Sequence, residues 1–304
     1  MLFLQQIVNG LALGGVYALF AAGLTLTLGV LKILNLAQGV TLTISAIAGV
    51  ELASKISVPF PVLILAGAVS GAIVGILLEM VAFRWLRLRQ RSRADNSEWS
   101  TMVGSLAMLL VLEALAQWFT LNILNIQVLS FPTSSFVSRL IHIAPNVTIS
   151  SIDIVMFVMA VVLTLITWAV IRFTQIGRAS RAVAADSEAA ELLGINSNAY
   201  ALGVISASAA MAGIAGILVG IAFNSVSFTT GDSYLLGGFA VVILGGVGSV
   251  IGSLVGGLIL GLATGLTVYF IGSNWIDVAT FGLLLLVLLV RPNGLFGRLE
   301  VDRA

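Results

Sequence analysis

Three acids crowd into ten residues, Asp186-Ser187-Glu188-Ala189-Ala190-Glu191-Leu192-Leu193-Gly194-Ile195, inside a sequence that is otherwise almost wholly apolar. Their spacing suits a recognition helix better than a reaction centre. Asp186 or Ser187 can accept hydrogen bonds from the orphan N–H groups of a first turn, Glu188 stands where the positive end of the helix dipole favours it, and Gly194 offers a left-handed stop. Leu192, Leu193 and Ile195 are left over as an exposed apolar knob. A two-turn helix is only marginally stable alone in water, so the segment is expected to gain order by docking into a partner. A plain solvated loop helix is the alternative.

Two further polar groups stand beside short apolar runs. Asn35, Gln38 and Thr41 flank Val40–Val50, and Thr229, Thr230 and Asp232 precede Leu235–Leu244. Helix starts near a bilayer midplane attract carboxylate or carbonyl oxygens, so both groups are candidates for lining a solute pathway, with capped re-entrant turns as the other reading. Glu113 lies deep in the apolar stretch Thr101–Leu121, where a charge costs roughly 2.5–3.5 kcal/mol on insertion scales. A proton-coupled carrier would use it as a relay; the alternative is a neutral or paired structural acid. His142, the sole histidine, has no metal-ligand neighbours, and cysteine is absent, so no metal site or disulfide framework is expected. No Gly-x-x-x-x-Gly-Lys-Ser/Thr run occurs, so any ATP chemistry must come from a partner. Nor does any clustered Ser/His/Asp set suggest hydrolysis.

The elements that carry these residues are membrane spans. The chain is 59% hydrophobic and 9% charged, with a mean hydropathy of +1.14, whereas soluble domains carry about 25% charged residues. Long proline-free runs such as Val103–Trp118, Ile154–Ile171 and Phe281–Val290 read as helices rather than the alternating strands of a barrel. The fold class is all-α, a polytopic bundle of about eight spans with short re-entrant or half-helices, forming one transmembrane domain over 1–304. Clear spans are Ile7–Leu31, Pro61–Phe83, Thr101–Leu121, Ile152–Phe173, Tyr200–Phe223, Val250–Ile271 and Trp275–Val290. Val40–Val50 and Leu235–Leu244 are too short to cross alone, and either stay half-helices or borrow flanking polar residues. The N-terminus lacks a signal peptide's basic region, so its apolar segment is expected to remain as a first span. A net charge of +1 argues against a nucleic-acid partner.

Basic residues stay cytoplasmic during insertion. Arg84, Arg87, Arg89, Arg91 and Arg93 cluster between two spans, Arg172, Arg178 and Arg181 precede the acidic segment, and Arg291, Arg298 and Arg303 mark the C-terminus. All three groups, with the loop over 174–198, are expected in the cytoplasm. Asn122–Ser151, whose basic residues are Arg139 and His142, is left outside. Glycines recur every fourth residue at Gly10/Gly14, Gly67/Gly71/Gly75, Gly216/Gly220, Gly248/Gly252/Gly256 and Gly257/Gly261/Gly265, a spacing that lets helix backbones approach closely. The last set is expected in a helix at the bundle centre or a subunit seam.

Glu188-Ala189-Ala190, three residues and Gly194 resemble the EAA loop of ABC importer permeases. "IGRASRAVAADSEAAELLGIN" over Ile176–Asn196, "AGIAGILVG" over Ala212–Gly220, "ILGGVGSVIGSLVGGLILG" over Ile243–Gly261, "RPNGLFG" over Arg291–Gly297 and the opening "QQIVNGLALGGVYALFAAGLTLTLGVLKILNLAQG" resemble the H-type permease of branched-chain amino acid importers. Nearly the whole chain is covered. The resemblance implies an ABC importer permease in a bacterial plasma membrane, working with a second homologous permease, two cytoplasmic ATPases and an extracytoplasmic solute-binding protein amid membrane lipid. ATP and magnesium would sit on the ATPases, with no cofactor on this chain, and Asp186–Ile195 would couple to them. Three departures stand out. The family's Asn-Phe-Ala-His-Gly-Glu reads Asn35-Leu36-Ala37-Gln38-Gly39-Val40, a common Lys is Gly238, and the wider loop's Ile-x-Leu-Pro tail is missing. They keep a sister importer of urea or short amides open, beside an ion-coupled carrier or channel supported by Glu113.

Overall fold

The structure, a computed structural model, describes residues 2–56, 58–85, 97–132, 140–144 and 147–297. Arg87, Arg89, Arg91, Arg93, Arg139, Arg298 and Arg303, used above to orient the chain, lie outside the described residues. In hydrocarbon every backbone N–H and C=O must be satisfied within its own segment, which turns long apolar runs into helices. Eleven α-helices are described: α1 (Leu2–Leu31), α2 (Gln38–Lys55), α3 (Phe60–Leu78), α4 (Ser97–Trp118), α5 (Ser151–Phe173), α6 (Gln175–Ala185), α7 (Ser187–Leu192), α8 (Ser197–Phe223), α9 (Thr230–Gly245), α10 (Val250–Phe270) and α11 (Ile276–Val290). A π turn continues α3 over Glu79–Phe83, and another continues α4 over Phe119–Ile123.

Seven of these helices are long and apolar enough to cross a membrane, and they coincide with the seven expected spans. The helical class therefore holds, with one addition inside the loop read as external. There, β1 (Leu140–Ala144) pairs antiparallel with β2 (Val147–Ser150), Leu140 opposite Ser150, with a register shift between His142 and Ala144. The two short apolar runs both lengthen. α2 continues past Glu51 to Lys55, which bond to each other at 2.8 Å. Its 18 residues rise ~27 Å, close to the ~30 Å hydrocarbon thickness. α9 gains a polar first turn and reaches 16 residues, ~24 Å. Both runs thus borrow flanking polar residues.

The chain clusters into two compact units, one of Met1–Thr25, Ser138–Ala169 and Leu236–Ala304, the other of Leu26–Val137 and Val170–Leu235. In the first unit the N-terminal glycines meet the C-terminal ones. A Cβ at Gly10 would stand 2.6 Å from the Gly261 carbonyl, one at Gly14 2.8 Å from that of Gly257, and one at Gly265 2.6 Å from that of Gln6. Gly257, Gly261 and Gly265 of α10 therefore serve its packing on α1, while Gly252 and Gly256 face α9. In the second unit α3 lies along α8 in the same manner, a Cβ at Gly67 falling 2.8 Å from the Gly213 carbonyl. Close backbone approach of this kind replaces the hydrophobic effect, which does not drive helices together in lipid.

Candidate functional site

The acidic decapeptide forms α7, and its two ends are closed by its own residues. Asp186 is the N-cap: its Oδ1 accepts from the N–H groups of Glu188 at 2.9 Å and Ala189 at 3.0 Å. Of the two capping residues the sequence allowed, Asp186 serves. At the other end Gly194 takes φ +83°, Gly194 N–H donates to the Glu191 carbonyl at 2.9 Å, and Ile195 N–H donates to that of Ala190 at 3.0 Å. This paired closure is a Schellman motif, which needs the left-handed residue that glycine supplies at least cost. The Ser197 hydroxyl donates to the Ser187 carbonyl at 3.2 Å, tying α7 to the start of α8.

Leu192 is 89% exposed and Leu193 81%, while Ala190 is buried. Ile195 is half-buried, so the knob expected from three side chains is made of two. The difference follows from the Schellman turn, which folds the residue after glycine back toward the helix. Ser187, Glu188, Ala189 and Glu191 are also exposed. The helix that precedes α7, α6, has no counterpart among the sequence expectations. Thr174 caps it by accepting from Gly177 N–H at 3.3 Å, and the Arg181 guanidinium donates to the Ile171 carbonyl at the end of α5. A Cβ at Gly177 would run into that same carbonyl. Gly177, Ser180 and Val183 are buried, with Arg178 and Arg181 outward. Buried positions three apart were the available signal.

The candidate pathway residues lie at two helix starts that pack together in the second unit. Gly231 N–H, in the first turn of α9, donates to the Thr43 hydroxyl of α2 at 2.9 Å. A Cβ at Gly39 would stand 2.8 Å from the Gly231 carbonyl, and one at Gly231 would overlap the Gly39 carbonyl. Asn35, Gln38 and Thr41 are all buried. Gln38 Nε2 donates to the Ser208 carbonyl of α8 at 2.9 Å, and its Oε1 accepts from Asn35 Nδ2 at 3.2 Å. The Thr41 hydroxyl donates to the Ala37 carbonyl at 2.9 Å. Asn35 Oδ1 is buried with no hydrogen-bond partner. On the α9 side, Thr230 Oγ1 accepts from Ser227 N–H at 2.8 Å. Thr229 is exposed, and Asp232 is half-buried. The two starts are joined by the Gly231–Thr43 hydrogen bond and the close approach of Gly39 to Gly231 rather than through the six candidate side chains.

Glu113 sits half-buried in α4, close enough to Asp232 for their charges to interact. Among the described residues no group of three or more histidine, aspartate or glutamate side chains could hold a metal ion. At Gly238, where the resembled family commonly has Lys, an added Cβ would lie 2.5 Å from the Phe20 ring. The aromatic ring occupies the room a longer side chain would need.

The family described as "Branched-chain amino acid transport system / permease component" matches residues 6–289. The chain belongs to it. Three curated relatives are similar along almost their full length. The high-affinity branched-chain amino acid transport system permease protein LivH of Escherichia coli K12 is 31% identical over 309 residues, covering 99% of this chain and 97% of LivH. LivH of Salmonella typhimurium LT2 is 30% identical with the same coverage. BraD of Pseudomonas aeruginosa, named in the same words, is 32% identical over 318 residues, covering 99% of this chain and 98% of BraD. The expected H-type resemblance therefore holds, and the family member is a multi-pass membrane protein, seven of whose described helices are long and apolar enough to cross a membrane. A looser likeness, to PsaBC from Streptococcus pneumoniae in complex with Fab, has 12% identity and a TM-score of 0.48 over 96% of this chain and 92% of that one.

Proposed function

We propose that this chain is one non-catalytic permease subunit of a bacterial inner-membrane ABC importer for branched-chain or other neutral amino acids. It would form half of the translocation path beside a second homologous permease. Two cytoplasmic ATPases would bind ATP and magnesium, and an extracytoplasmic protein would deliver solute. Closure of the ATPases pushes on α7 and tilts the helices from an inward-open to an outward-open state. The C-terminus is cytoplasmic in this scheme. Substrate recognition by the permease need only be weak, because the delivering protein has already selected the solute.

The observation that carries the proposal is α7. A six-residue helix is too short to be stable by itself, yet this one is capped at both ends and presents Leu192 and Leu193 almost fully to solvent. Burying a leucine side chain contributes about 1.5–3 kcal/mol, so the pair supplies an anchor for an apolar socket. Leu192→Asp with Leu193→Asp should abolish leucine uptake in proteoliposomes and release the ATPases in co-purification, while membrane insertion stays intact. Normal uptake by that double variant would remove the docking role.

A further inference from the structure

The segment that follows α4 is pinned to the turn between α8 and α9 at a single point. Leu129 N–H donates to the Val226 carbonyl at 2.8 Å, and Val226 N–H donates back to that of Leu129 at 2.8 Å. This is an isolated bridge outside any named strand. Both residues are buried, Leu129 at 5% exposure and Val226 at 0%. Two residues further on, the Phe131 ring fills a slot between α2 and α8. Its Cζ lies 3.4 Å from where a Gly49 Cβ would be, and its edge overlaps the place of a Gly220 Cβ. Glycine at 220 is what admits the ring, whereas a Cβ at 49 would meet Ile217 first.

On the other strand of the bridge, the chain has just left α8 through Asn224, which takes φ +48°. One residue past Val226, Ser227 N–H donates to the Thr230 hydroxyl in the first turn of α9, and the next residue, Gly231, is the one bonded to Thr43. The bridge is thus linked through a few residues to the joined starts of α2 and α9. α8 begins next to α7, and its 27 residues span ~40 Å, so the bridge lies at the end of α8 remote from the docking helix.

We infer that the Leu129–Val226 pairing, with Phe131 as its wedge, is a latch that must part for the solute path to open away from the ATPases. This rests on the importer reading. A two-bond bridge between irregular segments can open without unzipping a sheet, unlike the glycine-mediated helix contacts around it. Opening would free the turn that leads into Thr229, Thr230 and Asp232. A permanent brace would instead stay closed throughout the cycle.

The chain contains no cysteine, so Leu129→Cys with Val226→Cys would introduce the sole thiol pair. Hydrogen-bonded antiparallel partners have Cα atoms about 5.5 Å apart, within disulfide range. In proteoliposomes holding the assembled importer, oxidation should lower uptake by at least an order of magnitude, and reduction should restore the level of the single variants. Equal uptake by the oxidised and reduced protein would overturn the latch, as would failure of the pair to cross-link. A second readout does not depend on solute. Val226→Cys alone should be protected from a membrane-impermeant maleimide at rest and labelled during ATP turnover. Unchanged labelling overturns the latch, whereas absent uptake by the unaltered chain with turnover-dependent labelling overturns the substrate reading and leaves the latch standing.

Discussion

α7 and the joined starts of α2 and α9 both put polar side chains at the beginning of a helix, yet they dispose of them in opposite ways. At α7 the polar groups close the helix on itself and two leucines point into water. At the start of α2, Gln38 and Thr41 are spent on buried backbone carbonyls, and glycine, not leucine, makes the contact with α9. The first arrangement leaves apolar surface to be covered by something else. The second leaves one buried acceptor, Asn35 Oδ1, without a partner. Gln38 and Thr41 must give up those bonds before they can hold a solute, whereas a docking helix with exposed leucines is ready as it stands.

The contrast can be broken from either side. The largest effect is expected at Gly231→Leu, because any Cβ there meets the Gly39 carbonyl and the Thr43 hydroxyl. Overpacking of a tight contact costs about 1–3 kcal/mol or more, so size-exclusion chromatography should show little folded protein. If the variant folds and transports normally, the two starts do not need to touch. Next comes Gln38→Leu, which removes the donor to the Ser208 carbonyl and the acceptor for Asn35. Leaving buried partners unsatisfied costs about 1–3 kcal/mol, to be read as a lowered melting temperature in detergent. An unchanged melting temperature would mark Gln38 as free for solute. The smallest global effect belongs to Asp186→Ala. Loss of an N-cap costs about 1 kcal/mol locally, so the melting temperature should hold while ATPase co-purification weakens, with Asp186→Asn restoring it. Equal retention by both variants would show that docking orders α7 without its cap.

The seven spans were legible because about twenty apolar residues in a row have no other stable form in lipid. The limits of α7 were legible too, since Asp186 and Gly194 are chemically suited to start and stop a helix. The full lengths of α2 and α9 were not, because their ends carry Glu51, Lys55, Thr230 and Asp232, which hydropathy counts against a helix even where a neighbour in sequence pairs with them, as Lys55 does with Glu51. The hairpin over Leu140–Ser150 and the Leu129–Val226 bridge stayed hidden for a related reason. Backbone pairing between separated segments leaves no periodic mark on side chains. Glycine spacing announced close packing but not which helix would receive it: Gly67 and Gly213 could be matched only once α3 and α8 were seen side by side.

The π turns that continue α3 over Glu79–Phe83 and α4 over Phe119–Ile123 bear on how this family can change length. A π turn holds an extra residue compared with α geometry. Deleting one residue there lets the helix run on as plain α while everything downstream keeps nearly the same facing, because the extra residue is taken up inside the turn. A one-residue insertion or deletion at these two places is therefore absorbed without turning the chain beyond them, Arg84 and Trp85 in one case and the approach to Leu129 in the other. Two relatives that differ by one residue can keep the same span and still present the same face past its end.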